Sequence, residues 1–276
     1  MPYELRVFLA SLRAVGSRAD VVIFSAEKER ADLEEVAATF DARVIEYNFE
    51  HLSAKYGPMN LHRFQLFSDF LEDAGPASYA QVLLCDVRDV FFQLDPFEAL
   101  GLHDGLGVAV EPKHLPIGAC EIHSRWLSEE CGAYKVEGVL DQIADKSRSC
   151  AGTTIGTQSA IKKYCHLMGS EARRTVREVS ETQARPFEGR ITSFDGDKWW
   201  GWCNDQGMHN ALLWTGRLQQ HVNVTFYRAE NSPLATVGTM KVGGQRAGNS
   251  ALPTSMRVSE LEGSVEDPGI HLHDYL

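Results

Sequence analysis

The chain has 276 residues, 43% of them hydrophobic and 24% charged, which is typical of a globular protein with a buried core. Its formal net charge of −11 argues against nucleic-acid binding, because proteins that bind nucleic acids usually carry a basic patch. An acidic surface also does not help to hold an anionic ligand. Binding such a ligand would require a metal ion or a few local Arg and Lys residues.

Targeting signals are not evident in the sequence. The N-terminus, MPYELRVFLASLRAVG, has neither a long apolar run nor a small-residue cleavage site. No stretch approaches the roughly 20 apolar residues that span a bilayer. We therefore expect a cytoplasmic chain with no transmembrane segment. None of the six cysteines forms a Cys-x-x-Cys pair, which argues against a zinc ribbon, and we expect them to be mostly reduced thiols: Cys85, Cys120, Cys131, Cys150, Cys165 and Cys203.

The spacing of apolar residues predicts alternating helices and strands in the first part of the chain. In chain order these are a helix over 7–15, a strand over 20–25, a helix over 27–40, a strand over 43–47, a helix over 60–73, and strands over 81–85 and 107–110. Strand and helix alternation of this kind predicts an α/β fold with a parallel, doubly wound sheet. The pattern then loosens, and residues 112–150 and 180–204 have the composition of loops around a site.

The most informative segment is VLLCDVRDVFFQLDPF, residues 82–97, in which an apolar strand leads directly into Asp86 and Asp89. Ligands of open α/β sheets bind beyond the carboxyl ends of the strands. Two carboxylates there can share a hard cation, such as Mn²⁺ or Mg²⁺, with substrate phosphates. The alternative is structural: Asp86 caps the strand end, and Asp89 pairs with Arg88 or another surface cation.

This segment resembles the metal signature of GT-A glycosyltransferases, and DVRDVFFQLDPF is similar to a group carrying D-x-R-D-V-x-F-Q-x-D-P-F. The resemblance implies one GT-A-like catalytic domain over 1–276 with a mainly parallel central sheet flanked by helices. Residues 1–110 would form the nucleotide-binding half, and 111–276 the half that binds sugar and acceptor. GT-A folds normally begin with a strand that holds the nucleotide base, whereas this chain begins with a predicted helix.

The same resemblance implies residues that bind the donor. Arg63, in the helix before the metal strand, and Arg88, between the two carboxylates, are expected to touch the donor. Gly152 and Thr153 match a segment that lines the sugar pocket, where glycine allows close approach and threonine offers a hydroxyl. The structural alternatives are a solvated helix arginine at position 63 and a simple turn leading into a strand at 152–153.

Two later blocks extend the likeness. Asp205 and Gln206 resemble the Asp-Gln helix start that contacts the donor sugar in retaining, family 8-like transferases, so we expect them to be catalytic. Asp205 also suits a helix N-cap position. His271 fits the place of a third metal ligand, with His273 as the second choice. The structural alternative for both histidines is a frayed C-terminal tail.

A rival acidic pair, Asp195 and Asp197, follows no apolar strand and ranks below the first as a metal site. Three tryptophans follow this pair within four positions, Trp199, Trp200 and Trp202, and so many tryptophans are difficult to bury completely. We expect Trp199, Trp200 and Asp197 to bind the acceptor.

The sequence therefore predicts a metal-dependent glycosyltransferase that moves a sugar from a nucleotide-diphosphate donor to a glycan or other hydroxyl acceptor, with retention favoured. Two alternatives remain. A sugar nucleotidyltransferase also uses carboxylate-bound Mg²⁺, but it usually opens with a Gly-rich basic loop that this sequence lacks. A non-catalytic relative that binds carbohydrate or nucleotide sugar is the other.

Overall fold

The computed structural model describes residues 2–26, 30–88, 90–111, 116–180, 191–195, 197–228, 232–234, 241–242 and 245–246. The helices are α1 (Pro2–Ala14), α2 (Arg30–Thr39), α3 (Phe49–Tyr56), α4 (Met59–Asp73), α5 (Pro96–Leu100), α6 (Glu121–Arg125), α7 (Gly132–Glu137), α8 (Val139–Ile143), α9 (Gln158–Thr175) and α10 (Asp205–Trp214). A 3₁₀ turn (Ile117–Ala119) precedes α6, and a π-helical turn (Trp126–Glu130) follows it.

The strands are β1 (Val21–Ala26), β2 (Ala42–Tyr47), β3 (Val82–Cys85), β4 (Leu106–Val110), β5 (Ser149–Gly156), β6 (Arg177–Val179), β7 (Ile191–Asp195), β8 (Lys198–Trp202), β9 (Val224–Arg228), β10 (Lys241–Val242) and β11 (Gln245–Arg246). The protein is thus a mixed α/β structure with small sheets, as the alternating pattern predicts. None of the described helices combines the length and the apolar character that crossing a membrane requires.

The N-terminal region is a parallel pair of strands covered by helices. β1 and β2 pair in parallel from Val21 with Ala42 to Ala26 with Tyr47. Apolar residues of α1 recur at helical spacing, and this face is buried against the strands and α2. The buried side chains of α1 are Leu5, Phe8, Leu9 and Leu12. The elements predicted over 7–15, 20–25 and 43–47 are confirmed.

The central sheet is mixed, with strand order β3-β5-β4-β9. β5 runs antiparallel to both β3 and β4, while β9 is parallel to β4. Parallel pairing is therefore found for β1–β2 and for β4–β9, but the predicted single, mainly parallel central sheet is wrong, because β1–β2 is a separate two-stranded sheet and β5 runs antiparallel to both of its neighbours. The reason is the path of the chain between β4 and β5: a series of short helices brings it back to the edge where β4 ended, and Ser149 pairs with Val110.

Helices fill the space on the central sheet. α4 and α9 pack against each other, with Phe64 in edge-to-face contact with Tyr164. α10 packs on β5 and is buried almost throughout. The sequence pattern did not predict α9, and the stretch expected to be loop after residue 111 contains the short helices α6, α7 and α8. The N-cap of α10 is Asn204, not Asp205.

A disulfide joins Cys131 to Cys203. It ties the segment before α7 to the residue that precedes the N-cap of α10. Four cysteines are free thiols, so the expectation of mostly reduced cysteines holds for them and is wrong for this pair: Cys85, Cys120, Cys150 and Cys165. The two bonded residues lie 72 positions apart in the sequence, so no local spacing announced their pairing.

Candidate functional site

A single guanidinium joins the strand-end motif to the start of α10. Arg63 of α4 donates from Nη1 to Asp86 Oδ1 and from Nη2 to Asp205 Oδ2, each at 2.7 Å. Asn60, one helical turn before Arg63, donates to the other oxygen of Asp205 at 3.2 Å. Three motif blocks that are far apart in the sequence therefore meet at one point.

Burial divides this cluster into an inner and an outer part. The side chains of Arg63 and Asp205 are 20% and 12% exposed, whereas Asp86 is 48% exposed. Burial by itself lowers the pKa of Arg63, but the charges of Asp205 and Asp86 outweigh it and raise that pKa above its ordinary value. Arg63 therefore stays charged, and Asp86 is the member of the cluster that faces solvent.

Gly152 makes the position of Asp86 possible. The backbone N–H of Asp86 donates to Gly152 O at 2.7 Å, so the residue continues past β3 along β5. A Cβ at position 152 would lie 2.1 Å from Asp86 Oδ2, much closer than van der Waals contact. The carboxylate thus rests on a strand backbone where only glycine leaves room, which is the close approach that marks a strand glycine.

The start of α10 has its own cap, which leaves Asp205 available to Arg63. Asn204 Oδ1 accepts from the backbone N–H groups of Gln206 at 2.9 Å and Gly207 at 3.3 Å. Asp205 is then the first helical residue, where a negative charge interacts favourably with the helix dipole. The interpretation of Asp205 as the N-cap is wrong, because Asn204 is the residue that caps α10.

Gln206 holds the strand that carries Gly152. Its Oε1 accepts from Ala151 N at 2.8 Å, and its Nε2 donates to Ser149 O. Asn210, one turn later, bonds both the N–H and the C=O of Ser149 at 2.9 Å. These amides satisfy strand backbone next to the register shift in the β4–β5 ladder. In this geometry, Gln206 acts on the site by positioning β5.

A buried histidine supports the same junction. His209 is fully buried, with Nε2 2.9 Å from Ser149 Oγ and Nδ1 2.8 Å from Tyr164 Oη. The Ser149 hydroxyl donates to Ala109 O, so it accepts from Nε2–H, and the Tyr164 hydroxyl donates to Nδ1. Burial lowers the pKa of His209 to about 3, helped by the charge of Arg63, so the imidazole is neutral. No motif in the sequence predicted this network.

The remaining candidate residues are spread more widely. Thr153 is half-buried on β5 and pairs with Cys85, while Arg88 is exposed after the strand-end motif. Asp89, His271 and His273 lie outside the described residues. In the part of the chain that the structure describes, no group of three or more His, Cys, Asp or Glu side chains is arranged to hold a metal ion. Of the three predicted ligands, the described residues therefore include only Asp86.

The tryptophans lie on a separate three-stranded sheet, β6-β8-β7. Trp200 and Trp202 share one face of β8 because successive residues alternate. Trp202 is buried against Gly57 and donates to Ser193 Oγ at 2.8 Å; Trp200 packs partly on the main core. Asp197 is exposed at the turn before β8. Trp200 and Trp202 thus have a structural role, and acceptor binding by Trp199, Trp200 and Asp197 stays a prediction.

The sequence matches no family model and no curated protein. The candidate site is accordingly defined by its geometry: a half-exposed carboxylate at a strand end, a buried arginine behind it, and a second carboxylate at a helix start. Asn60 and Asn204 are the members that sequence reasoning missed. The spacing of Asn60 one turn before Arg63, on the same face of α4, was the available signal for the first of them.

Proposed function

We propose that the protein is a GT-A-type glycosyltransferase that uses a nucleotide-diphosphate sugar and a divalent cation. The observation that carries the proposal is the meeting of Asp86, Arg63 and Asp205 through one guanidinium. These residues come from three separate sequence blocks that resemble the same family. Gly152, from a fourth block, supports it, because the glycine leaves space for the Asp86 carboxylate.

The cation, Mn²⁺ or Mg²⁺, would be held by Asp86 together with Asp89 and His271, and it would neutralise the leaving diphosphate. Asp86 suits that role because it is the exposed member of the cluster and offers carboxylate oxygens, which hard cations prefer. Arg63 lies directly behind Asp86 and pairs with both carboxylates, so the cluster keeps a net charge of one anion, which favours a cation at this place. The bound cation would then attract the diphosphate, which the acidic chain alone would not.

Asp205 would contact the donor sugar from the start of α10. One of its oxygens is bonded to Arg63 and the other to Asn60, which fixes the orientation of the carboxylate. Fixing a group in this way avoids reorganisation during the reaction. Gln206 contributes by holding β5, and with it Gly152, in register. Thr153 and the exposed Asp197 complete the donor and acceptor sides of the proposal, and retention of configuration remains part of it.

The test compares Asp86→Ala with Asp141→Ala, an exposed carboxylate on α8 that serves as a matched control. Binding of nucleoside diphosphates is measured by thermal shift with and without Mn²⁺, followed by hydrolysis of nucleotide sugars. We expect Asp86→Ala to remove the Mn²⁺-dependent stabilisation while the fold remains, and Asp141→Ala to behave as the parent protein does. Unchanged Mn²⁺ dependence in Asp86→Ala would reject the site.

The products separate this function from its alternatives. A glycosyltransferase releases a nucleoside diphosphate from the donor, whereas a nucleotidyltransferase exchanges pyrophosphate. A binding relative would be stabilised by a nucleotide sugar but would release no product on long incubation with Mn²⁺. Either of the last two results would contradict the proposal.

A further inference from the structure

A second polar cluster surrounds the thiol of Cys120, in a part of the fold that the proposed transferase site does not use. Cys120 directly precedes α6, and its sulfur lies 3.2 Å from Nδ1 of His123. Arg148, the residue before β5, directs Nη1 at the same sulfur from 3.6 Å. Its Nη2 lies 2.5 Å from Oε2 of Glu111, which follows β4.

Arg148 brings positive charge to the sulfur from inside the protein. The residue is only 9% exposed, and its Nε is buried with no hydrogen-bond partner among the described residues. Burial raises the pKa of its acidic partner Glu111, against the opposing effect of Arg148. Glu111 pairs with Nη2, so Nη1 is the end of the guanidinium that is directed at the sulfur.

His123 supplies an acceptor for the thiol proton. Burial, and to a smaller extent the charge of Arg148, lower the pKa of His123 to about 4. The imidazole is therefore neutral near pH 7, and Nδ1 can accept a hydrogen bond from the S–H group of Cys120. The opposite nitrogen, Nε2, is buried with no hydrogen-bond partner in the described part of the chain.

We propose that Cys120 is a reactive thiol and a site of covalent modification by hydroperoxides. Positive charge beside the sulfur promotes attack by cysteine, and Arg148 supplies it. His123 orients the thiol as a hydrogen-bond acceptor. Cys120 is also half-exposed, so a small reagent has access to it.

The reaction is a two-electron oxidation of the sulfur. The Cys120 sulfur attacks one oxygen of the hydroperoxide, so that an S–O bond forms and the O–O bond breaks. The sulfur becomes a sulfenic acid, and the peroxide is reduced to an alcohol, or to water if the peroxide is hydrogen peroxide. The thiol proton ends on the leaving oxygen, and Nδ1 of His123 is the neighbouring hydrogen-bond acceptor that orients the thiol.

The other free cysteines provide internal controls within the same molecule. Cys85 and Cys150 are half-exposed like Cys120, whereas Cys165 is buried on α9. Burial raises the pKa of the Cys165 thiol, which keeps it protonated and inert. Differences in rate among the three half-exposed thiols therefore report on their surroundings more than on access alone.

The experiment measures the labelling rate of each cysteine in the intact folded chain by iodoacetamide at pH 7, with mass spectrometry of the peptides. We expect Cys120 to react at least about tenfold faster than Cys85 or Cys150. We also expect hydrogen peroxide followed by dimedone to label Cys120 first. Equal rates at the three positions, or first oxidation elsewhere, would overturn the proposal.

Two variants test the neighbours of the thiol. His123→Asn should reduce the ratio of the Cys120 rate to the Cys85 rate, whereas His166→Asn, at an exposed histidine of α9, should leave the ratio unchanged. Arg148→Lys should retain part of the advantage because it keeps the charge. The ratio is internal to each variant, and circular dichroism checks the fold. A ratio in His123→Asn that equals that of the parent would overturn the role of His123.

Discussion

Two ion-pair clusters in this protein differ in what they leave exposed. In the candidate site, one cation, Arg63, faces two anions, and Asp86 is half-exposed. In the other ion-pair cluster, which is centred on Glu171 of α9, this carboxylate is only 6% exposed and accepts hydrogen bonds from Arg174, Arg217 and the Tyr134 hydroxyl. There the carboxylate is fully surrounded by donors, and nothing is left for a ligand.

The difference shows how to tell a structural ion pair from a candidate site. Burial by itself raises the pKa of Glu171, but the hydrogen bonds from Arg174 and Tyr134 outweigh it and lower that pKa below its ordinary value. The group is thus stabilised as an anion inside the fold. Asp86 instead lies at a strand end, against a glycine where a larger residue would force the carboxylate or the strand to move. Its carboxylate is half-exposed and remains open to solvent.

The largest expected effect is on the structural cluster. Glu171→Gln should reduce the free energy of unfolding by about 2–3 kcal/mol, because the buried negative charge that Arg217 and Arg174 share is lost. The loss is at the low end for a buried ion pair, because both arginines are partly exposed and Arg174 keeps its pair with Glu137. Urea denaturation measures the change. Asp86→Ala, at the exposed carboxylate, should change stability by less than about 1 kcal/mol.

The pH dependence follows from the same pKa. Because the folded pKa of Glu171 is lower than the ordinary value of 4.5, its contribution to stability is present above that value and is lost as the pH falls through the folded pKa. Acid titration of the unfolding free energy should therefore show a drop below about pH 4.5 that Glu171→Gln reduces. Equal losses of unfolding free energy for Glu171→Gln and Asp86→Ala would mean that both carboxylates contribute equally to stability, which would contradict the comparison.

A smaller effect is expected at the glycine beneath Asp86. Gly152→Ala should cost roughly 1–3 kcal/mol of stability, because the new methyl group forces the carboxylate or the strand to move. It should also weaken Mn²⁺-dependent nucleotide binding. Gly169→Ala is the control: its nearest neighbour is 3.5 Å away, at the end of the flexible Arg173 side chain, and alanine is the better helix former by about 1 kcal/mol. Parent-like binding in Gly152→Ala would show that the carboxylate position is not needed.

The smallest effect on stability is expected at the start of α10. Asp205→Asn keeps the shape of the side chain and leaves the cap intact, because Asn204 supplies it; we expect a change of about 1 kcal/mol or less. Turnover of the donor should nevertheless fall, because Arg63 loses one of its two anions and the sugar contact changes. The paired variant Asn204→Ala should instead cost about 1 kcal/mol through loss of the cap and spare affinity for the nucleotide. Full turnover in Asp205→Asn would remove it from the proposed site.

The local sequence determined the elements whose apolar residues repeat regularly. α1, β1, β2, α4 and β3 all lie where the pattern predicts them, because one face of each must be buried and the spacing of apolar residues shows which. The position of Asp86 directly after β3 follows from the same pattern. Asp86 as a strand-end carboxylate and Arg63 on the preceding helix were thus predictable from sequence.

The tertiary structure alone decided how these pieces meet. Arg63 and Asp205 are 142 positions apart, and no periodicity relates them. The antiparallel course of β5, the hold of Gln206 on its backbone and the Cys131–Cys203 disulfide all depend on where the intervening chain returns. Even the N-cap of α10 is Asn204, one residue earlier than expected, while Asp205 forms an ion pair with Arg63. Short-range pattern fixes which residues must be buried, whereas ion pairs between distant segments form only once the folded backbone has brought their charges within hydrogen-bond distance.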